Sequence, residues 1–348
     1  MAISSLTLSN FSRSTIQRVQ TQLADAQKEL NTGRHADVGM TLGYVTGSAV
    51  TYHTQESSLK SMLETNKLTN NRFSLMANAL GAVRDGADDY SKALLNGSAT
   101  GTGVSALMTS ATQGLQQIFG AINTTDGRAY VFSGTHSDTA PVKSDTTALT
   151  DDIKAKFLSA LGISDVSQAT ADQVTAYFGD DGYAIPPSTT KHSFKNDFET
   201  SWQTVASAAG GVSTVNISKS EAIETSVSAN QAAFKNSVAA YAMVSALGVD
   251  KMGDDARKQL TMAAQSKLKA GQDGIVKLQA DIGVRQNRIT AANDILTKQI
   301  DLVGDAYGRL EDVDSTEASL QVNQLMTQLN VSFAVTGKLQ GLSILNYL

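Results

Sequence analysis

Residues 73–94 read FSLMANALGAVRDGADDYSKAL, and the apolar positions Phe73, Met76, Leu80, Val83, Ala87, Tyr90 and Leu94 alternate steps of three and four. A helix turns once in about 3.6 residues, so this spacing gathers them into one stripe, the seam of a coiled coil. The register runs back through Met62, Leu59 and Tyr52 to Val45, interrupted by the polar Thr69, Asn66 and Gln55. Such a seam needs a partner of the same kind.

The C-terminal half supplies one. Leu268, Gly271, Ile275, Leu278, Ile282, Arg285, Ile289, Ala292, Leu296, Gln299, Val303, Ala306 and Leu310 hold a single alternation of three and four. Gly271, Arg285 and Gln299 are imperfections of the kind that set register in a bundle. Ile16, Val19, Leu23, Ala26 and Leu30 repeat the pattern near the start, within a helix expected over 9–31. Val104, Leu107, Ala111, Leu115, Ile118 and Ile122 mark another helix, and a further one is expected from Ser220 to Leu247.

Between about residues 135 and 217 the seams stop, and all three prolines and the single tryptophan fall there. DDIKAKFLSALG and TADQVTAYFG read as short helices, while GGVSTVNIS alternates like a strand. The expected fold is mainly α: a long helical hairpin or coiled-coil rod built by the N- and C-terminal segments, carrying a small inserted α+β domain. Its expected divisions are terminal assembly helices at 1–36 and 318–348, the rod at 37–134 and 218–317, and a variable insert at 135–217.

Composition excludes several functions. With 33 acidic and 28 basic residues and no basic block, nucleic acid and anionic membrane are poor partners. No apolar run approaches the length of a membrane-spanning helix, so no membrane insertion is expected. Cysteine is absent, which removes disulfides, thiolate nucleophiles and cysteine metal ligands. The opening MAISSLTLSN lacks the basic and apolar regions of a cleavable signal peptide.

Candidate chemical sites are weak. GSATGTG at 97–103 follows a helical seam and lacks the Gly-Lys-Ser/Thr ending of a phosphate loop, so it reads as a turn. His35, His53, His136 and His192 have no metal-ligand spacing. GDDGY at 179–183 lacks the further acidic ligands and closing Glu of a calcium loop. Trp202, Tyr177 and Tyr183 could form sugar platforms, although a core role is the plainer reading. Nothing suggests catalysis, a metal or a cofactor, and no enzyme is expected.

The last 30 residues, SLQVNQLMTQLNVSFAVTGKLQGLSILNYL, carry one formal charge, Lys338. Apolar residues surround most of the helical circumference, and Ile16–Leu30 can cover only one stripe of it. The ends are therefore expected to bury their surface against neighbouring copies, with Ile16, Val19, Leu23, Leu30, Leu325, Leu329, Phe333, Leu339, Leu342 and Leu345 as subunit-packing residues. Both ends are expected to order on assembly.

Several strings resemble the bacterial flagellin superfamily, on the side of its hook–filament junction members. ELNTGRHAD resembles the Leu-x-x-Gly-x-Arg/Lys string that ends the first terminal helix, here Leu30, Gly33 and Arg34 or the following basic slot. AYVFSGTHSDTAPV is similar to a junction signature, through Tyr130, Phe132, Ser133, Gly134, Asp138, Thr139 and Pro141. DIGVRQNRI is similar to Leu-Gly-x-x-Gln-Asn-Arg, through Gly283, Gln286, Asn287 and Arg288. RLEDVDSTE resembles the stretch introducing the last helix, and LSILNYL resembles the junction close. Where flagellins place Asp-Asp-Pro or Asp-Asp-Ala after the first helix, this chain has only Asp37.

The resemblance implies a secreted structural protein of the bacterial flagellum, exported without a cleaved signal by the flagellar type III pathway. It implies self-association between hook and filament, contacting another hook-associated protein and flagellin, and an export chaperone on the C-terminal helix. Filament flagellin is the near alternative, although YVFSGT and ILNYL favour the junction. A cytosolic coiled-coil scaffold would share the seams but not the charge-poor ends.

Overall fold

The structure is a computed structural model that describes residues 5–97, 101–208 and 210–341. Its elements, in chain order, are α1 (Ser5–Thr32), α2 (Val38–Leu42), α3 (Thr46–Gly97), α4 (Gly101–Ile122), α5 (Thr147–Leu161), α6 (Ala171–Phe178), α7 (Phe194–Val205), β1 (Thr214–Asn216), β2 (Ala222–Glu224), α8 (Ala232–Leu247), α9 (Asp254–Glu311) and α10 (Ser315–Gly341). The class is mainly α, as the seams predict, with one two-stranded antiparallel sheet among the described residues. Two compact units are present, 1–61 with 295–348, and 62–294. Residues 98–100 of the GSATGTG stretch lie outside the described residues.

In the 62–294 unit, α3 and α9 run antiparallel. Gln286 donates to Ser74 Oγ (3.2 Å), and Gln272 donates to Asp88 (2.7 Å). Every apolar member of the 73–94 seam is at most 5 % exposed, and Leu268, Ile275, Ile282 and Ile289 of α9 are buried with them in one core. Full burial of a side chain such as Phe73, Met76 or Leu80 contributes about 1.5–3 kcal/mol. One of the polar interruptions is built into this core. Asn66 is fully buried, and its amide donates to the Ile217 carbonyl (2.9 Å) and to Asn293 (2.8 Å).

The imperfections in the α9 seam have separate causes. A Cβ at Gly271 would fall 2.3 Å from Ser237 Oγ, and one at Gly274 would fall 2.7 Å from Ala233 Cβ, so α8 crosses α9 at backbone contact. Arg285 reaches β2, donating to the Glu224 carbonyl (3.1 Å) and carboxylate (3.2 Å). Gln299, in the other unit, is exposed.

The helix expected from Ser220 starts only at Ala232. Ile223, Thr225, Val227 and Ala229 are all buried, a period of two that belongs to an extended chain and not to a helix. Thr225 N–H donates to Ser213 (2.8 Å), Gly134 N–H to Val227 (3.2 Å) and Ala229 N–H to Phe132 (2.8 Å), which holds this segment straight. Residues 194–205 form α7, which buries Phe194, Phe198, Trp202 and Val205 at steps of four, four and three.

The possible sugar platforms belong to this core. Trp202 is buried between Phe119 and Phe198 and donates from Nε1 to Asn230 (2.8 Å). Tyr177 is buried and donates to Asp197 (2.9 Å), and half-buried Tyr183 accepts from Gln173 (3.2 Å). None offers an open face of the kind a sugar stacks on.

Candidate assembly interface

In the unit formed by 1–61 and 295–348, α1 and α10 pack through Val19, Ala26, Val322 and Leu325, with Leu23 and Leu329 against them. The α1 stripe meets the α10 stripe, which covers one side of each helix. Ile16 is half-buried and Leu30 exposed. Phe333 is 49 % exposed, and Leu320, Met326, Val331 and Val335 also face outward. The side chain of Leu339, and all of Leu342 and Leu345, lie outside the described residues. From Ala318 to Gly337 the sequence has no charge to solvate these faces. Apolar surface depleted of charge is the composition of an interface core.

A polar cluster fixes how the helix pair joins its unit. Gly33 ends α1 in the left-handed region (φ +70), its N–H returning to the Glu29 carbonyl (2.8 Å). The chain then bonds to the α9–α10 connection, where His35 N–H donates to Glu311 O (2.9 Å) and Val313 N–H to Gly33 O (2.9 Å). Arg34 Nη1 lies 3.5 Å from the Glu311 carboxylate, and its guanidinium sits 5.4 Å from the Tyr307 ring centre. His53 Nε2 of α3 lies 2.8 Å from the same carboxylate, with its ring 4.4 Å from Tyr307. The Glu311 side chain is only 5 % exposed, against 44 % for Arg34. Asp314 then starts α10, accepting from Thr316 N–H (2.7 Å). That bond, the Thr316 hydroxyl and Glu317 N–H hold its carboxyl below the usual range. Thus ELNTGRHAD and RLEDVDSTE, distant in sequence, are one structural joint.

The remaining motif residues lie in the 62–294 unit. Phe132 is buried edge-on to Phe234 at 5.1 Å, and Gly134 turns at φ +69. Arg72 donates to the carbonyl of half-buried Tyr130 (2.8 Å) and to Asp126 (3.2 Å). Burial opposes ionisation of Asp126, yet Ala129 N–H, Arg128 N–H and the Arg72 guanidinium together hold its carboxyl below the usual range. Pro141 is buried and accepts from Ser207 N–H (2.8 Å), whereas Asp138 is exposed. Arg288 donates to Glu221 (2.8 Å) beside Gln286, while Gly283 and Asn287 face away from their own core.

Among the described residues, no group of three or more His, Asp or Glu could hold a metal ion, and no helix is long and apolar enough to cross a membrane. Sequence reading missed the meeting of His53, Tyr307 and Glu311. The one available signal was three polar or amphipathic residues on otherwise heptad-patterned helices.

Comparison with known proteins bears on the same segments. The bacterial flagellin N-terminal helical region matches residues 3–137, and the bacterial flagellin C-terminal helical region matches residues 266–348. Together they span well over half of the sequence. The chain belongs to the bacterial flagellin family. Its flagellin regions hold the α1–α10 pair, the Glu311 joint and much of the α3–α9 pairing. A solved structure of a putative flagellar hook-associated protein from Vibrio parahaemolyticus is similar at a TM-score of 0.53 and 12 % identity, covering 77 % of this chain and 97 % of its own. The Bacillus cereus FlgL structure is similar at a TM-score of 0.46 and 12 % identity, covering 74 % of this chain and 97 % of its own. Comparison with curated protein sequences found no match.

Proposed function

We propose that this flagellin-family protein is a structural, non-enzymatic component of the bacterial flagellum that joins hook to filament. The observation that carries the reading is the match of both flagellin helical regions at the two ends, brought together as a helix pair whose α10 member is charge-poor and leaves apolar residues uncovered. The fold shared with the putative flagellar hook-associated protein from Vibrio parahaemolyticus is consistent with a hook-associated role. The YVFSGT and ILNYL strings support it from sequence.

In this role the faces of α1 and α10 left open by their mutual packing bury themselves against neighbouring subunits. One set of neighbours is a hook-associated protein and the other is flagellin. Before export a chaperone covers the C-terminal helix, because that much uncharged apolar surface invites aggregation in the cytosol. The subunit leaves through the flagellar type III route. Gln286 and Arg288 hold the α3–α9 pairing and the β-hairpin in register and take no chemical role.

Deleting the gene tests this reading. Cells are expected to keep hooks without filaments and to release flagellin into the medium. Filaments of normal length and number would contradict it.

A further inference from the structure

In the 62–294 unit, α7, the start of α8 and an early turn of α9 enclose a cavity of about 280 Å³. Three cations line it, Lys195, Lys235 and Lys267, against one anion, Glu199. Glu199 is already taken by Lys235 at 2.5 Å. Lys195 is exposed and Lys267 half-buried, and neither has an ion-pair partner among the described residues. The cavity therefore holds two uncompensated positive charges in a chain whose net charge is −5. Drawing an ammonium partly out of water without a counter-ion costs stability, and a bound anion would offset that cost.

The rest of the lining is mixed. Asn236 is half-buried, and its carboxamide has no hydrogen-bond partner among the described residues. It can donate and accept at once. Ala232, the first residue of α8, also lines the cavity. Gln231 before it makes no side-chain cap bond, and the Ala232 N–H has no acceptor among the described residues. The positive end of the α8 dipole thus adds to the lysines. Phe198 and Ala239 supply an apolar wall.

We propose that this cavity takes one acidic sugar unit of a polysaccharide, a hexose bearing a sulfate or a carboxylate. The anionic substituent sits between Lys195 and Lys267. The Asn236 amide bonds a ring hydroxyl, and the C–H side of the ring lies along Phe198 and Ala239. Ligand pockets commonly measure about 300–1,000 Å³, so a cavity just under that range suits a single ring. The inference does not depend on where in the flagellum the protein sits.

Trp202 is the single tryptophan, and it stacks on Phe198 at 6.2 Å and donates to Asn230, both on the cavity wall. Its fluorescence can therefore report occupancy. Full-length protein titrated at low salt with glucose 6-sulfate and with glucuronate is expected to saturate with at least one of them, about tenfold tighter than with glucose or inorganic sulfate. Lys195→Glu, at an exposed position, should weaken that binding about tenfold, and Lys267→Gln several-fold. Lys277→Gln, exposed and ten residues further along α9, should leave it unchanged. Inorganic sulfate binding as tightly as the acidic sugar would mean an adventitious ion only and would overturn the proposal. Saturation with neither acidic sugar, or undiminished binding by Lys195→Glu, would overturn it as well.

Discussion

Replacing Arg34 with Ala should destabilise the joint between α1 and α10 more than neutralising its partner does. The reason is the unequal burial of the pair. The Glu311 side chain is 5 % exposed, whereas Arg34 is 44 % exposed and can be rehydrated when its partner is lost. In Arg34→Ala the Glu311 carboxylate remains buried with His53 as its main partner, 2.8 Å away. Breaking a fully buried pair from one side costs about 3–5 kcal/mol, and an exposed pair is worth about 0.2–1. This half-exposed case falls between them, at about 2 kcal/mol. Glu311→Gln keeps the shape and an acceptor for His53, so it should cost under about 1 kcal/mol. The double variant should therefore resemble Glu311→Gln alone, with a coupling of about 1–2 kcal/mol. Trp202 belongs to the other unit, so its fluorescence cannot report this change. Hydrogen exchange of α1 and α10 amides can. Additive effects of the two substitutions, within about 0.5 kcal/mol, would refute the argument.

The α3–α9 seam predicts that Leu80→Asp, at a fully buried site, costs at least about 3–5 kcal/mol through lost packing and a desolvated carboxylate; thermal melting followed at Trp202 checks this, and an unchanged midpoint would disprove the seam. Asp314 has a folded-state pKa below its ordinary value, so its contribution to α10 is present above the ordinary aspartate range, near about pH 4, and is lost as pH falls through the folded value. Amide protection in the first turn of α10, after correction for the intrinsic exchange rate at each pH, should fall in that acid window in the parent protein and not in Asp314→Asn, which keeps the capping oxygen but does not titrate.

The parts of this fold that were legible in sequence are those written as a period. Phe73 to Leu94 and Leu268 to Leu310 announce long helices because steps of three and four recur without a break along each. Residues 220–231 were misread because Ile223, Thr225, Val227 and Ala229 sit next to a true helical run, and their period of two is short. α7 was overlooked although Phe194, Phe198, Trp202 and Val205 are helically spaced; charged residues between them and prolines upstream obscured the pattern. Gly271 looked like a fault in the seam. Its cause is the backbone of Ser237, which no local pattern encodes. The Glu311 joint was illegible for the same reason, since His53 and Glu311 are separated by 258 positions. The string resemblances marked both sides of that joint without indicating that they touch.

The location of the protein on isolated flagella tests the central claim most directly. Antibody raised against the 135–217 segment and coupled to gold should label sheared flagella from wild-type cells in a narrow band where hook meets filament, with the filament shaft bare. Label distributed along the shaft would make the protein a filament subunit, and label confined to the cell body would contradict a flagellar role.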